Sequence, residues 1–255
     1  MMWIDTHSHL DASEFDCDRD AAYARARVAG VEIQIIPAVS RLNLMAVADL
    51  CRRYSGCLPA WGLHPIYTHC PDDIAAVQSQ IEAWRPVAVG EIGLDLFDGH
   101  PNFAAQEQVF VAQIELAREY DLPVILHSRR AVDLCLKHLR RICVPGGIAH
   151  AFSGSAQQAH AFIELGFKLG FGGAFTYARA TRLQQLAREL PLGAIVLETD
   201  SPDIPPAWLP ADKRRNEPAE LPRIATELAR LRGVDDATIA AVTSENARAV
   251  LRLEN

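Results

Sequence analysis

The six cysteines (Cys17, Cys51, Cys57, Cys70, Cys135, Cys143) include no CxxC pair, so neither a zinc knuckle nor a disulfide framework is expected and they read as isolated thiols. No apolar run approaches the roughly 18 residues that span a bilayer. The start, MMWIDTHSHL, goes straight to Asp and His without a basic, then apolar leader, so a cytoplasmic protein with no membrane partner is expected. Positive charge is also short: 25 Lys and Arg against 32 Asp and Glu leave a net charge of −7, which argues against a protein that coats nucleic acid through many phosphate contacts. A nuclease is not excluded, because bound metal ions put positive charge where a phosphodiester sits whatever the total. Low-complexity segments and linkers are missing too, and a monomer is expected.

What is present is material for one large core. The chain has 255 residues, 49% of them hydrophobic, and such a length is ordinary for a single α/β barrel of about 250 residues. Short β-type runs alternate with amphipathic stretches throughout. The predicted strands are Trp3 to His9, Glu32 to Val39, Leu58 to His64, Val87 to Leu94, Val124 to His127, Gly147 to Phe152, Lys168 to Phe175 and Ala194 to Thr199. Between them lie helical patterns such as Asn102 to Tyr120, where Phe103, Val109, Phe110, Ile114 and Leu116 recur at near-helical spacing. Eight such repeats predict a (β/α)8 barrel as one domain over residues 1–255; an open doubly wound sheet is the competing architecture. The last strand runs into the Pro-rich stretch SPDIPPAWLPADKRRNEP, a predicted functional loop, before helical runs near Leu221 to Leu231 and Asp236 to Leu253.

The polar clusters fall at the C-terminal ends of the predicted strands, the face on which such barrels build their sites. Strand one ends DTHSH; alternation along a strand predicts that Asp5, His7 and His9 point the same way, so that the two imidazoles can share one metal. Strand four ends VAVGEIGLD, where Glu91 lies in an apolar run that would penalise an unpaired carboxylate by several kcal/mol. It calls for a cation. PVILHSRR delivers His127 and GGIAHAFSG delivers His150 at strand ends; each alone reads better as a satisfied core histidine, but with Glu91 they make a second ligand set. AIVLETDSP adds Glu198 and Asp200, of which Asp200 lies nearer the mouth and is the ligand candidate; Glu198 reads as supporting or structural.

Six donors from five strands exceed one tetrahedral site, so two divalent ions, Zn, Mn or Mg, are predicted, bridged by Glu91. His7, His9 and Asp200 are assigned to one ion, and His127 and His150 to the other. His64, in WGLHP, is a candidate substrate contact, with a structural hydrogen bond as its rival. Asp5 and Asp95 read as carboxylates that orient ligand imidazoles, with strand-end capping as the alternative.

The blocks DTHSHLD, GLHP, GEIGLDL, LHSRR, HAFSG, ETDSP and RRNEP resemble, in order and over nearly the full length, the TatD-type metal-dependent deoxyribonuclease family, nearest its YjjV-like branch. The resemblance implies a TIM barrel with metal ligands at His7, His9, Glu91, His127, His150 and Asp200. It also implies phosphodiester hydrolysis on DNA of the 3′–5′ exonuclease kind, with His64, Arg129 and the RRNEP segment near the substrate. Arg215 belongs to that segment; the basic run Lys213, Arg214 and Arg215 has a solvated face as its plainer reading. Arg129 is placed to clamp a phosphate bidentately, whereas Arg130 reads as a surface residue at a helix start.

Metal coordination lowers the pKa of water from 15.7 to about 7, so a metal-bound hydroxide is the expected nucleophile, oriented or deprotonated by Asp200 with Glu91 holding both ions. A small-molecule amidohydrolase, an esterase acting on aminoacylated transfer RNA and a non-catalytic, metal-stabilised scaffold are the alternatives. The ligand-bearing fourth strand ends in Glu91 and holds no Lys that could be carboxylated, which favours the nuclease-type site.

Overall fold

The computed structural model describes residues 1–97, 102–210 and 215–253. Eight parallel strands form one sheet in chain order: β1 (Trp3–Asp5), β2 (Val31–Pro37), β3 (Cys57–Trp61), β4 (Ala88–Asp95), β5 (Val124–Arg129), β6 (Gly147–Ala149), β7 (Phe167–Phe171) and β8 (Ile195–Leu197). The first and last strands approach each other as well. Thr6 N–H donates to Leu197 O (3.1 Å), and Ser8 bridges to Ser201, so the sheet curls into a barrel. Helices α1 (Arg19–Val28), α2 (Leu44–Arg53), α3 (Pro71–Ala83), α4 (Phe103–Glu119), α5 (Val132–Arg141), α6 (Ala156–Glu164), α7 (Thr181–Glu189) and α8 (Leu221–Arg232) follow their strands, and α9 (Asp236–Leu251) comes last. This is the (β/α)8 architecture the alternation predicts.

Two apolar clusters hold it together. The larger packs the helices onto outward residues such as Trp3, Ile36, Trp61, Val89, Leu126 and Leu197. The smaller fills the barrel interior with Ile4, Ile35, Ala60, Ala88, Ile125, Ile148 and Val196, early in their strands, against Ala247, Val250 and Leu251 of α9. Helix α9 therefore closes the end at which the strands begin.

Several strands stop sooner than the sequence predicts. β1 ends at Asp5 instead of His9, β6 at Ala149 and β8 at Leu197. The cause at β1 is local: His7 N–H turns back onto the Asp5 carboxylate (3.2 Å), and the chain leaves the ladder. The Pro-rich segment after β8 is clipped down by buried Asn216, whose amide donates to Thr199 O (2.7 Å), Asp203 O (3.0 Å) and Ile204 O (3.3 Å). Lys213 and Arg214, and also His100, lie outside the described residues.

Candidate metal centre

Where the strands end, five imidazoles gather round one carboxylate. Glu91 is 2% exposed, and its two oxygens divide the neighbours between them. Oε2 lies 3.2 Å from His7 Nε2 and 3.6 Å from His9 Nε2; Asp200 Oδ1 lies 3.5 and 3.8 Å from the same two nitrogens. Oε1 faces His127 Nδ1 (3.0 Å), His150 Nε2 (3.1 Å) and His64 Nε2 (3.2 Å).

Strand parity explains part of this. Ile125 and Ile148 point into the interior, so His127 and His150, two residues further on, face the same way. At β1 parity fails as a guide: Ile4, not Asp5, belongs to the interior cluster. His7 and His9 reach the site from the turn that follows β1, not from strand alternation. Asp200 likewise sits in a turn, with φ +56°.

The donor set fits metal ions. Ions held at about 2.0–2.1 Å put neighbouring donors roughly 3.0–3.4 Å apart, and the His7 Nε2 to His9 Nε2 spacing is 3.1 Å. Two imidazole nitrogens that close, both aimed at carboxylates, are arranged for a shared cation. The charges point the same way. Burial works against ionised Glu91, yet the imidazoles of His64, His150 and His7 hold its carboxyl well below the usual range. Burial opposes protonation of His9 too, but Glu91 and Asp200 raise it to about 9. His150 is raised against its burial by Glu91 and Asp200, whereas burial and His150 push His7 down. Protons on His9 and His150 balance Glu91; a divalent ion would take over that role and displace them. Burial pushes Asp200 up to about 7.

The supporting carboxylates differ from one another. His127 presents Nδ1 to Glu91, and its Nε2 meets Asp95 Oδ2 (3.2 Å), so Asp95 orients that ring; Asp95 also caps the strand end by accepting Phe97 N–H (2.8 Å). Glu198 lies beside His150, its Oε1 3.5 Å from Nδ1 without a hydrogen bond between them, and that oxygen accepts Ala151 N–H. A Cβ at Gly170 would collide with that carboxylate, which is why glycine stands there. Asp5 has no imidazole partner among the described residues and takes the capping role, the alternative reading of its sequence. Its oxygens accept Thr199 N–H (2.9 Å), Thr199 Oγ1–H (2.6 Å) and His7 N–H, so it ties the turn after β1 to the one after β8. Burial raises its carboxyl to about 7.

His64 is set apart by a backbone bond. Its Nδ1 accepts Ile66 N–H (3.2 Å), so the neutral ring carries its proton on Nε2, the nitrogen that faces Glu91. A ring fixed in that tautomer donates a hydrogen bond and does not ligate. The sequence marked His64 as a contact, but only the fold shows this bond.

The cavity above the cluster measures about 880 Å³. Arg129, His64, Tyr67 and the apolar side chains Phe152, Phe171 and Phe175 line it. Arg129 lies with its guanidinium carbon 3.5 Å from the centre of the Phe97 ring. Arg215 does not line the cavity. It is bound to Asp18 (2.8 Å to Oδ2) and Glu14 O (2.9 Å) and stacks on Phe15, which uses up the guanidinium expected to meet substrate. Glu217, beside it, pairs with Arg25 (2.6 Å) and fastens the same segment to α1.

Known proteins are similar to this chain in sequence and in fold. The family described as TatD related DNase matches residues 4–252. The metal-dependent hydrolase YjjV of Escherichia coli is 42% identical over 90% of each chain, and a crystal structure of E. coli YjjV, a TatD homologue, superposes with a TM-score of 0.94 over 99% of this chain and 98% of that one. The 3′-5′ ssDNA/RNA exonuclease TatD of Cronobacter sakazakii is 36% identical over 96% of this chain and 95% of its own. With the family pattern running from β1 to α9 and the ligand-type residues drawn round one buried glutamate, this chain belongs to the TatD-related DNase family of metal-dependent hydrolases.

Proposed function

We propose that the chain, acting as one domain and as a monomer in the cytoplasm, is a two-metal phosphodiesterase that removes nucleotides from the 3′ end of single-stranded DNA. The observation that carries this reading is the division of Glu91. One oxygen gathers His7 and His9, with Asp200 beside them, and the other gathers His127 and His150. That pattern suits a bridging carboxylate between two ions of the Zn, Mn or Mg type. When bound, two such ions would polarise the phosphoryl oxygens and lower the pKa of a water to about 7.

The chain's own groups do the rest. Asp200, held beside His7 and His9, is placed to orient a water at the centre or accept its proton. His64 offers its Nε2–H to a phosphoryl oxygen entering the cluster. Arg129 can grip the same phosphate, since stacking on Phe97 occupies its face and leaves its edge donors free. Phe152, Phe171 and Phe175 give an apolar wall against which a base can lie and from which water is displaced.

The deciding experiment incubates purified protein with single-stranded DNA and a dinucleotide, each with Mg²⁺, Mn²⁺, Zn²⁺ or chelator, beside an amide and an aminoacyl ester panel. Metal-dependent release of 5′-mononucleotides from the 3′ end is expected. Cleavage of the amide or ester panel alone would replace the nuclease reading with the amidohydrolase or esterase one.

A further inference from the structure

A second cavity of about 510 Å³ opens beside the first, between the starts of α5, α6 and α7. The two share Ser128 and Ser153 in their walls, so they form one continuous surface. The second contains Arg130 and Arg182, both exposed. Arg182 is aimed by one bond, from Nη2 to Ser153 O (2.7 Å). Arg130 shares the Phe97 ring with Arg129, its guanidinium carbon 4.5 Å from the centroid. Among the described residues no carboxylate makes an ion pair with Arg129, Arg130 or Arg182. The acid in that groove, Asp133, is held by Gln158 Nε2 (2.9 Å).

The opposite flank of the mouth is built the other way. Asp11, Glu14 and Asp203 line the cavity there, and the neighbouring cations Arg19, Arg25 and Arg215 are all bound to carboxylates. An anionic chain leaving the metal centre is therefore repelled on the α1 side and attracted on the α5 to α7 side. Two guanidiniums on one aromatic ring repel each other as well, and an anion lying between them and Arg182 relieves that repulsion.

We propose that the groove holding Arg130 and Arg182 is a phosphate subsite, which binds the phosphate next to the scissile one and draws the substrate strand out of the metal cavity over Ser128 and Ser153. This rests on the phosphodiesterase reading above. It makes the enzyme one that grips the strand by a single further phosphate, in a protein whose overall charge repels nucleic acid.

The test compares the wild type with the Arg130→Gln, Arg182→Gln double variant on three substrates: a bare dinucleotide, and the same dinucleotide with an added 5′ or 3′ phosphate. In the wild type an added phosphate at one of the two ends should lower KM about tenfold. The double variant should lose that gain while it cleaves the bare dinucleotide within about twofold of wild type, since that substrate has no second phosphate to bind. Binding of a labelled single-stranded trinucleotide, followed by fluorescence anisotropy across a salt series, reads the subsite without turnover. The variant's slope of log K against log salt should be shallower by about 0.7. Indifference of the wild type to both added phosphates, or a gain of equal size in the variant, overturns the subsite. Failure of the wild type to cleave any of the three with any ion sinks the phosphodiesterase reading; the salt slope then decides the subsite alone, and an unchanged slope overturns it.

Discussion

At the end where the strands begin, the barrel interior is closed by aliphatic side chains of α9 against Ile4, Ile35, Ile125, Ile148 and Val196. At the end where they finish, the same interior holds five histidines with Glu91, Asp95, Glu198 and Asp200. One end gains stability from burial, and the other gives some of it up, since desolvated charges stay only where partners hold them. The contrast teaches that stability and chemistry in this chain are separable by height along the barrel axis. It can be broken or sharpened by substitutions at either end.

The largest effect is expected at the chemical end. Glu91→Gln keeps the shape but removes the shared charge, and Asp200→Ala removes a donor; each should lower metal-dependent hydrolysis by at least about a thousandfold. Thermal melts of the metal-free Glu91→Gln protein should fall below wild type, because the buried imidazoles lose the carboxylate that balances them. Retained hydrolysis in either variant would undo the role given to it. At the closed end Ile125→Ala should cost about 2–5 kcal/mol in denaturant unfolding, with kcat of the folded protein within about twofold of wild type. A loss of kcat without a loss of stability there would erase the division between the ends.

Smaller effects test the supports. Asp95→Asn should weaken metal affinity by about 10–100-fold, while kcat at saturating metal stays near wild type, as isothermal titration and kinetics together would register. A pH dependence of similar size is expected. His9, raised to about 9, is protonated at neutral pH, and a ligand imidazole must be neutral. Metal binding therefore releases that proton, and affinity should climb with pH by up to about tenfold per unit between 7 and 9. A flat affinity profile over that range would mean that His9 is not a ligand.

Much of the barrel is legible in the chain because its signals are local: short β runs, helical spacing between them, and His127 or His150 two residues beyond an interior isoleucine. The donors at the mouth could be read as a group for the same reason. What was not legible depends on contacts between distant residues or on one backbone bond. Asp5 was readable either as an imidazole's partner or as a strand-end cap, and the choice rests on Thr199, 194 positions away, whose N–H it accepts. Arg215 looked free in a basic run, but Asp18, 197 positions earlier, occupies it. The tautomer of His64 hangs on the Ile66 amide, and the bond from Ala151 N–H to Glu198 needs β6 and β8 brought together at the mouth. No pattern in the sequence marks such pairs.

The closure of the barrel by Ala247, Val250 and Leu251 also has a meaning for biogenesis. During synthesis every ligand-type residue of the metal centre, up to Asp200, leaves the ribosome before the side chains that plug the opposite end. Any barrel formed before α9 emerges would leave Ile4, Ile35 and Ile125 without that cover. The plug of the barrel interior is thus made after the residues of its chemistry have been translated.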